Sequence, residues 1–367
     1  LALTGLRGVG KTVLLETFKP LAFQENWLWA GADLSESSSL TEESLAIRLL
    51  IDLSVVTSAI SLSVPSRAKF GFTHDREFQS VTLSYAYLEN LYHIIPGLVS
   101  DKLKGVLETI WPAIQAWSRR GIVFAYDEAQ NLADHSDKSQ YPLSLLLDVF
   151  QSLQRKEIRF MLVLTGLPTL FPRLVDGRTF AERMFRVISL NSLNEKETAQ
   201  AIREPMEKSP IPFRFADEEA LLIWKCTRGY PYFVQYFCRE TVDGWIQAFH
   251  NDQNPPNIPI MEIMRKLDSD FFAGRYAKAT DRQRSLMEII ANLPRCDLEF
   301  TVQEIIEHSS NKSLDKPFGN SHVSQMLSTL SELGLIYKNR YGKYSFAIPL
   351  LGDFIRRQTS PRSNNSL

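Results

Sequence analysis

The first residues of this chain with types and spacing suited to chemistry are a lysine and a hydroxyl residue that close a glycine-rich octet. Gly5-Leu6-Arg7-Gly8-Val9-Gly10-Lys11-Thr12 follows the short apolar run Leu1 to Thr4 and precedes Val13-Leu14-Leu15-Glu16-Thr17-Phe18, which suits a helix. Glycines at these positions let the backbone turn with its N–H groups inward, so a polyphosphate meets those donors and the positive end of the following helix. In that frame residues Gly5, Leu6, Arg7, Gly8, Val9 and Gly10, with Val13 beyond them, cradle the phosphates. Lys11 reaches the terminal phosphates, and the Thr12 hydroxyl holds Mg²⁺. A phosphate cradle alone does not decide whether the ligand is hydrolysed.

Two further apolar runs bear on that question. Ile122-Val123-Phe124-Ala125-Tyr126 ends in Asp127-Glu128. At the carboxyl end of a buried parallel strand, Asp127 faces the metal and Glu128 is placed to orient or deprotonate an attacking water. Taken alone, such a pair is an ordinary strand end, and its place after the phosphate loop gives it the catalytic reading. Arg159 to Thr165 ends in a hydroxyl residue just before Gly166-Leu167-Pro168. Its strand is expected between the other two, where Thr165 contacts the γ-phosphate or the nucleophilic water; a plain strand terminus is the equal alternative.

The elements that must position these residues alternate between strand and helix. Trp27 to Leu34 reads as a strand, Thr41 to Ser54 and Val99 to Arg119 as helices, and a helix from about Ser139 to Lys156 returns the chain to the Thr165 strand by a right-handed crossover. Between them lie a polar stretch with Lys69, His74, Asp75 and Arg76 and an aromatic segment with Tyr85, Tyr87, Tyr92 and His93, which reads as core or as a stacking surface. Phe185 to Leu190 is a further strand. From Asn191 the strands stop, and Glu195 to Lys208, Ala216 to Arg228 and Tyr232 to Phe249 read as helices. The polar, proline-containing run Asn251 to Asn257 reads as a linker, and a connecting helix follows from Ile260 to about Ala277.

Residues 280–358 read as three helices and a β-hairpin. Ser321 to Leu333 places Val323, Met326, Leu327, Leu330 and Leu333 on one face, with Ser324, Gln325 and Ser328 elsewhere, and Gly334 ends the helix. The hairpin runs through Leu335 to Lys338 and Lys343 to Ala347. This order resembles a winged helix, in which the third helix enters the major groove and the hairpin touches the backbone. Lys338, Arg340 and Lys343, with Arg356 and Arg357 beyond, are candidates for phosphate contact. Residues 277–367 hold twelve Lys/Arg against nine Asp/Glu, and the third helix has neither Lys nor Arg, so double-stranded DNA and a protein partner remain equal alternatives.

Composition sets the outer limits. With 367 residues, 44% hydrophobic and 23% charged, and a net charge of -1, the chain has material for two or three domains, and its composition argues against extended disorder and global attraction to nucleic acid or acidic membrane. Cys226, Cys238 and Cys296 are odd in number and form no CxxC pair, which argues against a disulfide framework or structural zinc. His74 and His93 lack a ligand-spaced companion. No apolar run approaches the roughly 18 to 20 residues that cross a bilayer. A soluble, cytoplasmic protein without a membrane partner is expected, and the opening at Leu1 rather than Met leads us to expect a missing natural beginning.

Taken together, Gly5 to Thr12 resembles a Walker A motif, Ile122 to Glu128 a Walker B, and Thr165 the sensor 1 position of P-loop ATPases with an added catalytic glutamate. Thr227-Arg228-Gly229-Tyr230-Pro231-Tyr232-Phe233 is similar to the G-x-P signature that opens a lid helix in STAND ATPases and their archaeal relatives. Over nearly its whole length the chain resembles AAA+/STAND-like ATPases, including the archaeal origin initiators. The resemblance implies an α/β fold, with a P-loop NTPase parallel sheet flanked by helices, a helical lid and a C-terminal winged helix. The expected units are an ATPase core (1–190), a lid (191–250), a linker with connecting helix (251–279), a winged helix (280–358) and a disordered tail (359–367). It also implies ATP rather than GTP, Mg²⁺-dependent hydrolysis, and either a nucleotide-driven switch or an ATP-gated DNA-binding regulator. By motif position Pro231 and Arg228 read the γ-phosphate, although a proline opening a helix is a sufficient structural account. Arg183 and Arg186 lie where trans-acting arginines of such families are often found; surface pairing with Glu182 is the alternative. A homo-oligomer is implied by the likeness alone.

Overall fold

A computed structural model describes residues 1–35, 40–65, 78–210, 212–251, 253–254, 256–310, 318–340 and 342–359. Lys69, His74, Asp75, Arg76 and the expected tail from 360 on lie outside these residues. The chain divides into two compact units, Leu1–Gly5 with Lys11–Ser189, and Leu6–Gly10 with Leu190–Leu367.

The first unit is built on strands β1 (Ala2–Thr4), β2 (Trp27–Ala30), β5 (Gly121–Tyr126), β6 (Phe160–Gly166) and β7 (Val187–Ser189), with a separate antiparallel pair β3 (Ser61–Pro65) and β4 (Phe78–Thr82). The five-stranded sheet has the order β2-β5-β6-β1-β7, and every pair in it is parallel. As expected, the Thr165 strand lies between the Asp127 strand and the strand leading into the phosphate loop.

Alternation along the strands divides the side chains between two faces. Ile122, Phe124 and Tyr126 of β5, with Phe160, Leu162 and Leu164 of β6, join the larger core with the helices Glu42–Thr57, Val99–Ala116 and Pro142–Arg155. Val123, Ala125 and Val163 face the other way, toward Leu15 of the helix Lys11–Gln24. Sheet strands buried on both faces must be apolar throughout, which is why β5 reads as a continuous apolar run. The aromatic segment turns out to be the helix Tyr85–Ile94, with Tyr92 in the larger core and Tyr85 and Tyr87 packed against it.

In the second unit the helices Glu195–Glu207, Asp217–Thr227 and Pro231–His250 come first. The connecting helix is not continuous. It runs as Ile260–Leu267, passes through a π-helical turn at Asp268–Ala273, and ends at Tyr276. Helices Asp281–Ala291, Val302–Ser310 and Asn320–Glu332 then precede the antiparallel pair β8 (Ile336–Arg340) and β9 (Lys343–Phe346), the order expected of a winged helix. A further helix, Leu351–Thr359, went unforeseen. A single apolar cluster runs from Ile202 to Ile355, with Phe272 stacked on Phe354 at 5.2 Å between ring centroids. Among the described residues no helix is long and apolar enough to cross a membrane.

Candidate functional site

The carboxyl end of the parallel sheet gathers the polar residues of the first unit. Tyr126 pairs with Leu164 across β5 and β6, so the next residues, Asp127 and Thr165, are neighbours. The Thr165 hydroxyl donates to one carboxylate oxygen of Asp127, and the Thr12 hydroxyl donates to the other. The backbone N–H of Glu128 adds a third donor to Asp127 at 2.8 Å. Thr165 is fully buried and Asp127 only 4% exposed, so these bonds replace water that the carboxylate cannot reach freely. Lys11, also buried, donates from Nζ to the Gly5 carbonyl at 3.0 Å and lies at the start of its helix.

This donor set fits a hard divalent cation: a hydroxyl oxygen and a carboxylate oxygen, adjacent, at the mouth of a loop rich in backbone donors. Thr12 and Asp127 would hold Mg²⁺, and the ion would supply charge neutralisation on the phosphates.

Glu128 takes a left-handed backbone conformation, with φ 51°, and its side chain is exposed. Its carboxylate accepts a hydrogen bond from Gln130 Nε2, while the Gln130 side-chain oxygen accepts from the Leu167 N–H at 3.1 Å. Arg173 in turn donates to the Gln130 carbonyl at 2.6 Å. Gln130 thus ties the acid to the turn after β6. The sequence offered a weak signal for it, a side-chain amide two residues beyond the acidic pair.

The middle of the phosphate loop, Leu6–Gly10, groups with the second unit. There the Tyr232 N–H donates to the Gly8 carbonyl at 3.1 Å. Gly8 has φ +80°, and a Cβ on it would approach Tyr232 Cβ to 3.0 Å, so only glycine fits without displacement. Pro231 opens the helix Pro231–His250 and lines an apolar cavity of about 310 Å³ with Leu193, Pro205, Val234, Gln235 and Cys238. Burial pushes the Cys238 thiol up to about 12, which makes it an inert wall rather than a nucleophile.

Two expectations are corrected. Arg228, expected to read the γ-phosphate, is held instead by two carboxylates of the same unit, Asp297 at 2.6 Å and Asp353 at 2.8 Å. Arg356 and Arg357, offered as phosphate contacts, are also paired: Arg356 with Asp353 and the Ala291 carbonyl, Arg357 with Asp268. Arg183 and Arg186 are exposed, and among the described residues neither pairs with Glu182. The exposed side of the helix Asn320–Glu332 carries Ser324, Gln325 and Ser328, as its periodicity predicts, while Val323, Met326, Leu327 and Leu330 are buried.

Comparison with known proteins bears on the fold. Residues 269–355 match a family described as a domain of unknown function (DUF8462). No curated protein matches the sequence. Among solved structures, the Walker-type ATPase PABY2304 of Pyrococcus abyssi is similar at 15% identity and a TM-score of 0.55, covering 97% of this chain and 90% of that one. The ADP form of the ORC2 protein of Aeropyrum pernix is similar at 12% identity and a TM-score of 0.53, over 98% of this chain and 88% of that one. The same protein in ADPNP–ADP complexes gives 11% identity and a TM-score of 0.51 over the same shares. The chain therefore has the mixed α/β fold of these P-loop ATPases, with a parallel sheet flanked by helices.

Proposed function

We propose that this protein binds ATP with Mg²⁺ and hydrolyses it, and that the nucleotide state acts as a switch. The observation that carries the reading is the convergence on Asp127 of two hydroxyls, Thr12 from the first turn of the helix Lys11–Gln24 and Thr165 from the end of β6, with Lys11 buried beside Thr12 in the chain. Buried charge of this kind is costly unless a partner of opposite charge joins it, and a metal-bound triphosphate provides one.

In this reading the loop Gly5 to Gly10, with Val13, surrounds the phosphates, and Lys11 neutralises their charge. Glu128 accepts a proton from water, the water oxygen bonds to the γ-phosphorus, and the bond to the bridging β–γ oxygen breaks, so that ADP and inorganic phosphate leave. Gln130 orients the Glu128 carboxylate. Thr165 senses the γ-phosphate through the carboxylate it already touches. Pro231, next to the residue that clamps Gly8, is the cofactor-binding residue of the lid, residues 191–250. The neighbour solved with ADP and with ADPNP supports nucleotide as the ligand class.

Glu128→Gln tests the assignment. It retains ATP and lowers phosphate release by about a hundredfold or more, the range expected for loss of a general base. Hydrolysis at the parent rate overturns the role given to Glu128.

A second reading, contact with double-stranded DNA through residues 280–358, is favoured by the exposed polar side of the helix Asn320–Glu332 beside Lys338 on the wing. The internal pairing of Arg356 and Arg357 leaves it a small electrostatic base. Salt-dependent binding to duplex DNA in fluorescence anisotropy supports it, and binding independent of salt, or none, removes it in favour of a protein partner.

A further inference from the structure

The chain that leaves β2 stays in register with β5 and ends beside Asp127. Trp29 pairs with Val123 and Ala30 with Phe124, and the same register brings Asp33 opposite Asp127 in a parallel bridge. Gly31 allows this approach. Its φ is +141°, and a Cβ on it would lie 1.9 Å from the Ala125 carbonyl oxygen, so only glycine lets the two chains run so close. The Ala32 carbonyl then accepts from the Asp127 N–H at 3.3 Å, and the Leu34 N–H donates to the Asp127 carbonyl at 3.1 Å. Leu34 is buried, and its own carbonyl accepts from Asn131 Nδ2 at 2.8 Å. The backbone of Asp33 is therefore fixed on both sides, while its side chain is exposed and among the described residues has no hydrogen-bond or ion-pair partner.

Trp29, Val123 and Ala125 share the sheet face that packs on Leu15 of the helix Lys11–Gln24. Alternation in the shared register carries Asp33 and Asp127 to that same face, where Thr12 already bonds Asp127. Paired positions on adjacent strands are about 4.8 Å apart, so two carboxylates are held side by side. Like charges at this spacing repel, and a divalent cation beside both turns the repulsion into attraction. Glu128 is tied through Gln130 toward the turn after β6, so Asp33 supplies the carboxylate on the β2 side.

We infer that Asp33 is a positioning residue for the metal, its carboxylate accepting hydrogen bonds from waters on the Mg²⁺ that Thr12 and Asp127 hold; the inference rests on that reading of the two residues. Mg²⁺ keeps several waters and takes few protein oxygens directly, so those waters need acceptors. Acceptors of this outer kind typically contribute about ten- to a hundredfold to metal affinity.

The test reads metal dependence rather than turnover. A fluorescent, non-hydrolysable ATP analogue is bound to the full chain across a Mg²⁺ series, and anisotropy gives the Mg²⁺ concentration for half-maximal binding. Asp33→Asn raises that concentration about tenfold or more, and Asp33→Glu, which keeps the charge, falls between Asp33→Asn and the parent. Glu157→Gln removes an exposed carboxylate before β6, at the other end of the sheet, and leaves the midpoint unchanged. Circular dichroism melts confirm that each variant is folded. Binding in the parent that ignores Mg²⁺ overturns the metal site and the inference with it. A parent that responds to Mg²⁺ while Asp33→Asn keeps its midpoint, or shifts no more than Glu157→Gln does, overturns the role of Asp33 alone.

Discussion

The carboxyl end of the parallel sheet and the C-terminal helices with their hairpin treat charge in opposite ways. At the sheet end the buried Asp127 carboxylate accepts from the buried Thr165 hydroxyl and from the exposed Thr12 hydroxyl, the buried Lys11 donates to the Gly5 carbonyl, and the carboxylate faces no basic side chain in those bonds. In the C-terminal region Arg228, Arg356 and Arg357 are neutralised by Asp297, Asp353 and Asp268 at the surface. The first arrangement is poised to take a charged ligand; the second is largely satisfied without one. Burial of polar groups, rather than the number of charged residues, marks the candidate site.

The comparison can be broken or sharpened by substitution. The largest effect is expected from Phe354→Ala: Phe354 is 1% exposed and stacks on Phe272, and its truncation costs about 3–5 kcal/mol in urea unfolding. A loss under about 1 kcal/mol would mean that the region collapses around the cavity and is held by its surface pairs instead. Next comes Lys11→Ala, which lowers ATP turnover by about a hundredfold or more, read as phosphate release. Turnover close to the parent value would put the sheet end on the same footing as the surface pairs. Lys338→Gln with Lys343→Gln reduces the salt dependence of any duplex-DNA binding by about two ion equivalents, as anisotropy across a salt series reports. An unchanged slope would show that the wing makes no backbone contact. The smallest change is Arg228→Ala, about 0.5–1 kcal/mol by thermal melt, because its guanidinium is 41% exposed and water screens both partners.

Much of this was legible in the residues themselves. The loop, the β5 carboxylate and Thr165 could be read because strands buried on both faces admit few polar residues, so each polar group at a strand end stands out. The place of the Thr165 strand between the other two was expected, though not the full order of the five strands, and the helix Asn320–Glu332 followed from its 3.6-residue periodicity. The misses have physical causes. Gln130 acts through a side-chain amide whose partner, the Leu167 N–H, lies on another strand's turn, and no local pattern encodes such a bond. Arg228 and Arg357 looked available because a sequence shows a cation but not the aspartates 69, 125 and 89 residues away that neutralise them, whereas the partner of Arg356, Asp353, is three residues away on the same helix. The antiparallel pair β3 and β4 flanks a polar stretch that hides its alternation.

The central claim is that the Lys11 pocket holds a metal-bound triphosphate. An equilibrium titration of purified protein with a fluorescent ATP analogue at millimolar magnesium tests it most directly. The account predicts saturable binding that unlabelled ATP displaces and that Lys11→Ala removes. A flat titration, or binding that Lys11→Ala leaves intact, would contradict it.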